Sequence, residues 1–115
     1  MSELQDHTAR IRKFCKERDW DQFHNPKDLA LSLVLEATEV LEHFQWKNDT
    51  EVSQHIKTHK ADIAEELADT YYWLLRMCDR FDIDLPAAFE AKMQKNARKY
   101  PIDKAKGKHS KYDQL

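Results

Sequence analysis

Glycine is almost missing from this chain: Gly107 is the only one in 115 residues, and it is joined by just three prolines. With so little turn-forming material, hairpin-rich sandwiches and barrels are poor candidates. Cysteine is scarce too. Cys15 and Cys78 form no CxxC pair and fall within helical periodicity, so they read as reduced thiols of a cytoplasmic protein and not as a disulfide framework. No apolar run approaches the roughly 18 residues of a membrane span, and MSELQDHTARIRKF lacks the apolar core of an export signal. An excess of charge of one sign is also absent. Nineteen Lys and Arg against 21 Asp and Glu leave a net charge of −2, which supplies no electrostatic case for a nucleic-acid or membrane-surface partner.

What remains is a chain that is 35% charged and 41% apolar, with the two signs interleaved as on exposed helix faces. Its length suits one domain. Residues 1–100 read as that domain, and the lysine-rich stretch 101–115 as its basic tail, mobile or ordered by a partner. Caps and periodicity place four main helices. The first runs from about Ser2 to Arg18, with Leu4, Ile11, Phe14 and Cys15 inward. NPKD opens the second, with Asn25 as cap and Pro26 in the first turn, and this helix extends to about Trp46. KNDT is a loop followed by a short turn at EVSQ. The third helix is expected over His55–Phe81, with Ile63, Leu67, Tyr71, Leu74, Cys78 and Phe81 at core spacing. Asp84 and Pro86 open the last, which ends near Lys99 because Pro101 bars its continuation. The expectation is an all-α, four-helix bundle-like protomer.

On a wheel of about 100° per residue, Leu29, Ala30, Leu33, Val34, Ala37, Val40, Leu41 and Phe44 share one apolar face of the second helix. Leu31 and Leu35 lie opposite, where a surface helix should be polar. Ser32, Glu36, Glu39 and His43 form a polar stripe between these two regions. The helix is therefore expected to bury one side in its own bundle and the other against a further chain or the tail. In the third helix Asp62, Glu66, Asp69, Trp73 and Arg76 run beside the core face. EATE (Glu36, Glu39) and ELAD (Glu66, Asp69) are then two i,i+3 carboxylate pairs on neighbouring helices. Four converging acids repel one another, and a hard divalent cation relieves that repulsion. Oxygen-only ligands point to Mg²⁺ or Mn²⁺ and not to zinc. Solvated acidic faces are the plainer account of any single pair, and Glu42, Asp62 and Glu65 fit it.

Trp20 and His24 precede the second helix, and Trp46 and Lys47 end it. Lys92, Asn96 and Tyr100 repeat at i, i+4, i+8 on the last helix. A cation, an amide, a phenol and stacking aromatics around a metal site suit a nucleoside triphosphate. His55 and His59 have the i,i+4 spacing of zinc ligands, but the sequence shows no third ligand and no HExxH.

The stretches RDWDQFHNPKDLALSLVLEATEVLEHFQWK, EELAD, DLPAAFEAKMQKNARKYP and the final KYDQL together resemble the MazG-like, all-α NTP pyrophosphatase superfamily, most of all its dCTP pyrophosphatase branch. The likeness spans essentially the whole chain and keeps the order ExxE…ExxD. It implies Mg²⁺ held by Glu36, Glu39, Glu66 and Asp69. It also implies cleavage of a nucleoside triphosphate between the α- and β-phosphates, with deoxynucleotides such as dCTP favoured, in nucleotide-pool housekeeping. By the same resemblance Trp20, His24 and Trp46 line a base pocket, while Lys92, Asn96 and Tyr100 hold phosphates and sugar, partly across a subunit boundary. The homo-oligomer it implies, a dimer or a tetramer built as a dimer of dimers, accords with apolar Leu31 and Leu35. The chain departs from that branch in carrying LEATEVLE for GEVGELAE, Ile11 for a His, and Trp73 for a Tyr. These changes bear on base preference.

The expected chemistry is metal-assisted phosphoryl transfer, in which Glu39 orients or deprotonates the attacking water and Lys92 stabilises leaving pyrophosphate. The competing class is a non-enzymatic helical module whose acidic stripe binds a basic partner, with no Mg²⁺ dependence. An HD-type phosphohydrolase is disfavoured because no His-Asp dipeptide occurs.

Overall fold

A computed structural model describes residues 1–115, which are helical or irregular throughout, with no strand. The chain divides into two compact units, Met1–Asp82 and Ile83–Leu115. The first holds α1 (Glu3–Glu17), α2 (Pro26–Glu42), α3 (Asp49–Thr58) and α4 (Lys60–Arg80). The second holds α5 (Leu85–Lys99) and α6 (Ile102–Ala105). No helix is long and apolar enough to cross a membrane.

Helix starts follow their caps. Ser2 and Gln5 form a reciprocal capping box at α1, and Asn25 Oδ1 accepts from the Asp28 N–H at 2.9 Å to open α2. Asn48 and Glu51 form a second capping box, so the short turn expected at EVSQ is a ten-residue helix, α3. That cap also corrects the third helix: it does not start at His55 but is broken at His59, with α4 beginning at Lys60. The second helix likewise ends at Glu42, and turns carry the chain through Trp46. Asp19, Trp46 and Asp82 each adopt positive φ just after a helix. Asp tolerates that conformation, whereas a bulky side chain such as Trp46 at φ 68° is strained there.

In the first unit α2 packs most extensively on α4, and α1 lies against α4 as well. Its fully buried apolar residues are few: Cys15, Leu29 and Leu75. The inward stripe of α2 is narrower than its periodicity predicts, running through Leu29, Leu33 and Val40, with Phe44 following in the turn beyond. Val34 and Leu41, expected inside, are more than half exposed and join Leu31 and Leu35 on one open apolar face. On α4 the expected core positions Leu67, Tyr71 and Leu74 reach solvent, as does Phe81 just past its end, while Leu75 and Arg76 are the buried ones. Periodicity locates a stripe but does not say which body will cover it.

In the second unit Asp84 caps α5 through the Ala87 N–H. The basic tail is ordered within that unit. Tyr112 meets Tyr100 edge-on with centroids 6.2 Å apart, and Lys99 Nζ lies 4.7 Å from the centre of the Tyr112 ring.

Candidate active site

Glu36 and Glu39 project from one side of α2, and Glu66 and Asp69 from α4, which packs beside it. Glu36 is the best buried of the α2 pair, because its helix position lies next to the Leu29–Val40 stripe. Burial pushes its carboxyl above the ordinary range; repulsion from Glu39 and Asp69 adds to this, and the neighbouring Trp73 side chain offsets it in part. Glu36 Oε2 is buried and has no hydrogen-bond partner. An orphaned carboxylate oxygen beside two further acids is a costly arrangement, and it fits a site that takes a hard cation through oxygen ligands.

The four acids do not close into one cage as the side chains stand. No group of three or more His, Cys, Asp or Glu side chains converges closely enough to hold a metal ion. Glu36, Glu39 and Asp69 feel one another, whereas Glu66 is turned onto His43. Glu66 Oε2 is also buried without an aligned hydrogen bond, but unlike Glu36 Oε2 it lies against a ring nitrogen.

A cavity of about 910 Å³ opens between α1 and α4 at this point. Glu36 and Asp69 lie on its wall with Trp20, Tyr72 and Trp73, all within the first unit. Helix α1 contributes Arg10 and Phe14, and its C-cap Arg18 joins them; the acid and aromatic patterns did not single these out. Phe14 is not a core residue as periodicity suggested. It stands at the cavity with the Arg18 guanidinium 3.7 Å over its ring and Trp20 edge-on at 5.6 Å. The signal available in sequence was the run of Arg10, Lys13, Phe14 and Arg18 at i,i+3/i+4 spacing, which puts cations and an aromatic on one face. Cys15, fully buried, meets the Tyr72 hydroxyl at 3.2 Å, and burial pushes that phenol's pKa up.

Other expected site residues are placed elsewhere. His24 lines a separate cavity of about 670 Å³ with Arg12, Asp21, Arg76 and Asp79. Arg76 is 1% exposed and donates to His24 Nδ1 at 3.0 Å and to Asp21. Burial, then the Arg76 and Arg80 charges, push the His24 pKa down, which fits a neutral ring accepting at Nδ1. Its ring still packs edge-on against Trp73 at 5.4 Å, so His24 buttresses the acid-lined cavity from behind. Trp46 is 91% exposed and lines neither cavity, and Lys47 also lies outside both. Lys92 and Asn96 lie on α5 of the second unit, and Tyr100 caps its C-terminal end.

Comparison with known proteins gives a consistent picture. A profile described as the MazG-like family matches residues 31–115. The chain is 40% identical to dCTP pyrophosphatase 1 of Mus musculus over 114 residues, covering 97% of this chain and 67% of that protein. Against dCTP pyrophosphatase 1 of Homo sapiens the identity is also 40%, with the same coverage. The crystal structure of a pyrophosphatase from Archaeoglobus fulgidus superposes with a TM-score of 0.83 at 36% identity, over 88% of this chain and 94% of that one.

Proposed function

The chain belongs to the MazG-like family, and from that premise we infer that it is a nucleoside triphosphate pyrophosphohydrolase. Water adds at the α-phosphorus, the bond from that phosphorus to the α,β-bridging oxygen breaks, and the products are a nucleoside monophosphate and pyrophosphate. The observation that carries this reading is Glu36: a buried, unpartnered carboxylate oxygen set beside Glu39 and Asp69 at the wall of a cavity lined by aromatic rings and arginines.

Deoxynucleotides of the dCTP kind are the preferred substrates in this reading, supported by the identity to dCTP pyrophosphatase 1 proteins. Glu36, Glu39, Glu66 and Asp69 would hold Mg²⁺, with Mn²⁺ as an alternative. Bound there, the cation neutralises charge on the phosphates and makes water more acidic. Glu39, the more exposed member of its pair, orients the attacking water or takes its proton. Trp20, Trp73 and Phe14 offer faces to the base, and Arg10 and Arg18 bring positive charge to the same wall. His24 acts on the pocket by supporting Trp73. Trp46 and Lys47 are assigned to the base end. The support for Trp46 is a large ring displayed to solvent on a strained, left-handed backbone, the kind of outlier that function maintains. Lys92, Asn96 and Tyr100 are assigned to phosphates and sugar, partly across a subunit boundary, from their i, i+4, i+8 spacing, and residues 1–100 are assigned to one domain with 101–115 as its basic tail.

The open apolar face of Leu31, Val34, Leu35 and Leu41 supports a homo-oligomer, a dimer or a dimer of dimers. Free Cys15 and Cys78 suit the reducing cytoplasm, where the protein would clear unwanted nucleotides. The deciding experiment is pyrophosphate release across the NTPs and dNTPs, with and without Mg²⁺. Metal-dependent release, highest with a deoxycytidine substrate, is expected; no release from any nucleotide in the presence of Mg²⁺ or Mn²⁺ rejects the reading.

A further inference from the structure

His43 closes the polar stripe of the second helix, and neither cavity uses it. It is largely buried between two partners. Its Nε2 lies against Glu66 Oε2 on α4. Its Nδ1 is 2.7 Å from Nε2 of His55 on α3. The His55 ring stacks on His59, with centroids 4.1 Å apart and planes 11° from parallel, and His59 Nδ1 is held 2.8 Å from Thr58 Oγ1. The break at His59 separates α3 from α4 and lets α3 bring His55 back to the end of α2.

The contact with Glu66 is close but off the line of a well-aligned hydrogen bond. No other polar group bonds that oxygen, and the soft χ2 rotation of an imidazole adjusts the angle at little cost. The two facing nitrogens of His43 and His55 must share one proton, because two lone pairs or two N–H groups at that separation repel. In the neutral His43 ring, a proton on Nε2 is the tautomer that suits a carboxylate neighbour. Nδ1 is then the acceptor, and His55 donates to it from Nε2. A charged His43 would also present an N–H at Nε2, so the contact with Glu66 is favourable in either form.

We propose that His43, with its tautomer set by His55, is a positioning residue for Glu66. It ties down Oε2 and leaves Oε1 as that residue's oxygen for the divalent cation. Outer partners of this type commonly contribute about 10- to 100-fold in metal affinity. The inference rests on Glu66 being a cation ligand.

The test is direct Mn²⁺ binding to the full-length, substrate-free protein, read by calorimetry or by the paramagnetic signal of free Mn²⁺. His43→Phe should weaken binding by about 10- to 100-fold. His43→Gln, which retains an N–H donor, should recover most of it, and His55→Phe should give a smaller loss in the same direction. Nitrogen-15 spectra of the histidine rings should show the Nε2–H tautomer of His43 in the native protein and its loss in His55→Phe. Native Mn²⁺ affinity in a folded His43→Phe protein overturns the inference. If His43→Phe does not fold, unchanged affinity in His55→Phe with an unaltered His43 tautomer overturns it instead. Glu66→Gln separates the two readings: lost affinity there with native affinity in His43→Phe defeats the positioning role alone, whereas native affinity in Glu66→Gln defeats the acid site beneath it.

Discussion

Two polar clusters are built on α4, about two helical turns apart, and they handle buried charge in opposite ways. Around Arg76 the charge is answered. The guanidinium donates to His24 and Asp21, lies 3.7 Å from Asp79, and Asp79 in turn takes two bonds from Arg12. Around Glu36 it is not answered: acid faces acid, and one buried oxygen has no partner. A fold retains a closed cluster for structure, whereas an open one of like charges works against folding and persists where a ligand uses it. The contrast separates a scaffold from a candidate site along one helix, α4.

The sharpest way to test that contrast is to neutralise one carboxylate of the open cluster. Glu39→Gln should lower turnover by about 10²- to 10⁴-fold while leaving the thermal midpoint unchanged or slightly higher, since it removes repulsion. Pyrophosphate release and calorimetry would read the two effects, and full turnover in the folded variant would reject Glu39's role. In the closed cluster the pattern should invert. Arg76→Ala strands Asp21 and His24 and should cost about 3–5 kcal/mol in urea unfolding. A loss under about 1 kcal/mol, the size expected of an exposed pair, would break the comparison.

A smaller effect is expected at Trp46, which belongs to neither cluster. Trp46→Ala should cost about 1–3 kcal/mol of substrate affinity if a base stacks on the ring. An unchanged KM for every dNTP would exclude stacking. Trp46→Gly should relieve the left-handed strain and raise stability by about 1 kcal/mol.

The smallest effect is a pH dependence from the closed cluster. The His24 pKa is lowered in the folded chain, so below about 6.5 the unfolded state binds more protons than the native one. The His24 contribution to stability is therefore fully present above that pH and is lost as pH falls towards the folded value. His24→Asn should flatten the slope of stability against pH in that window. An identical slope in the variant would show that His24 does not titrate on unfolding.

Much of the local architecture was legible in the residues. Ser2, Asn25 and Asp84 announce their helices because a cap reaches only three residues along the chain. The acid pairs were legible for a similar reason: an i,i+3 spacing places two side chains on one face wherever the helix forms. The break at His59 was not, because His55 and Ile63 continue the apolar and aromatic period across it and no Pro or Gly marks the spot. The outward turn of Val34 and Leu41 was hidden as well, since a Leu on a stripe looks the same whether its own chain or another covers it.

What the sequence determined by itself was the all-α class, the caps that open α1, α2 and α5, and the i,i+3 placement of Glu36 with Glu39 on α2 and of Glu66 with Asp69 on α4. These depend on interactions within a few residues. Only the tertiary structure decided which acid loses its partners, which arginine is closed off at 1% exposure, and that His43 of the second helix meets His55 of the third. Those outcomes follow from how α1, α2 and α3 settle on α4. Burial, and with it the cost of an unanswered charge, is a property of packed neighbours that no spacing along the chain encodes.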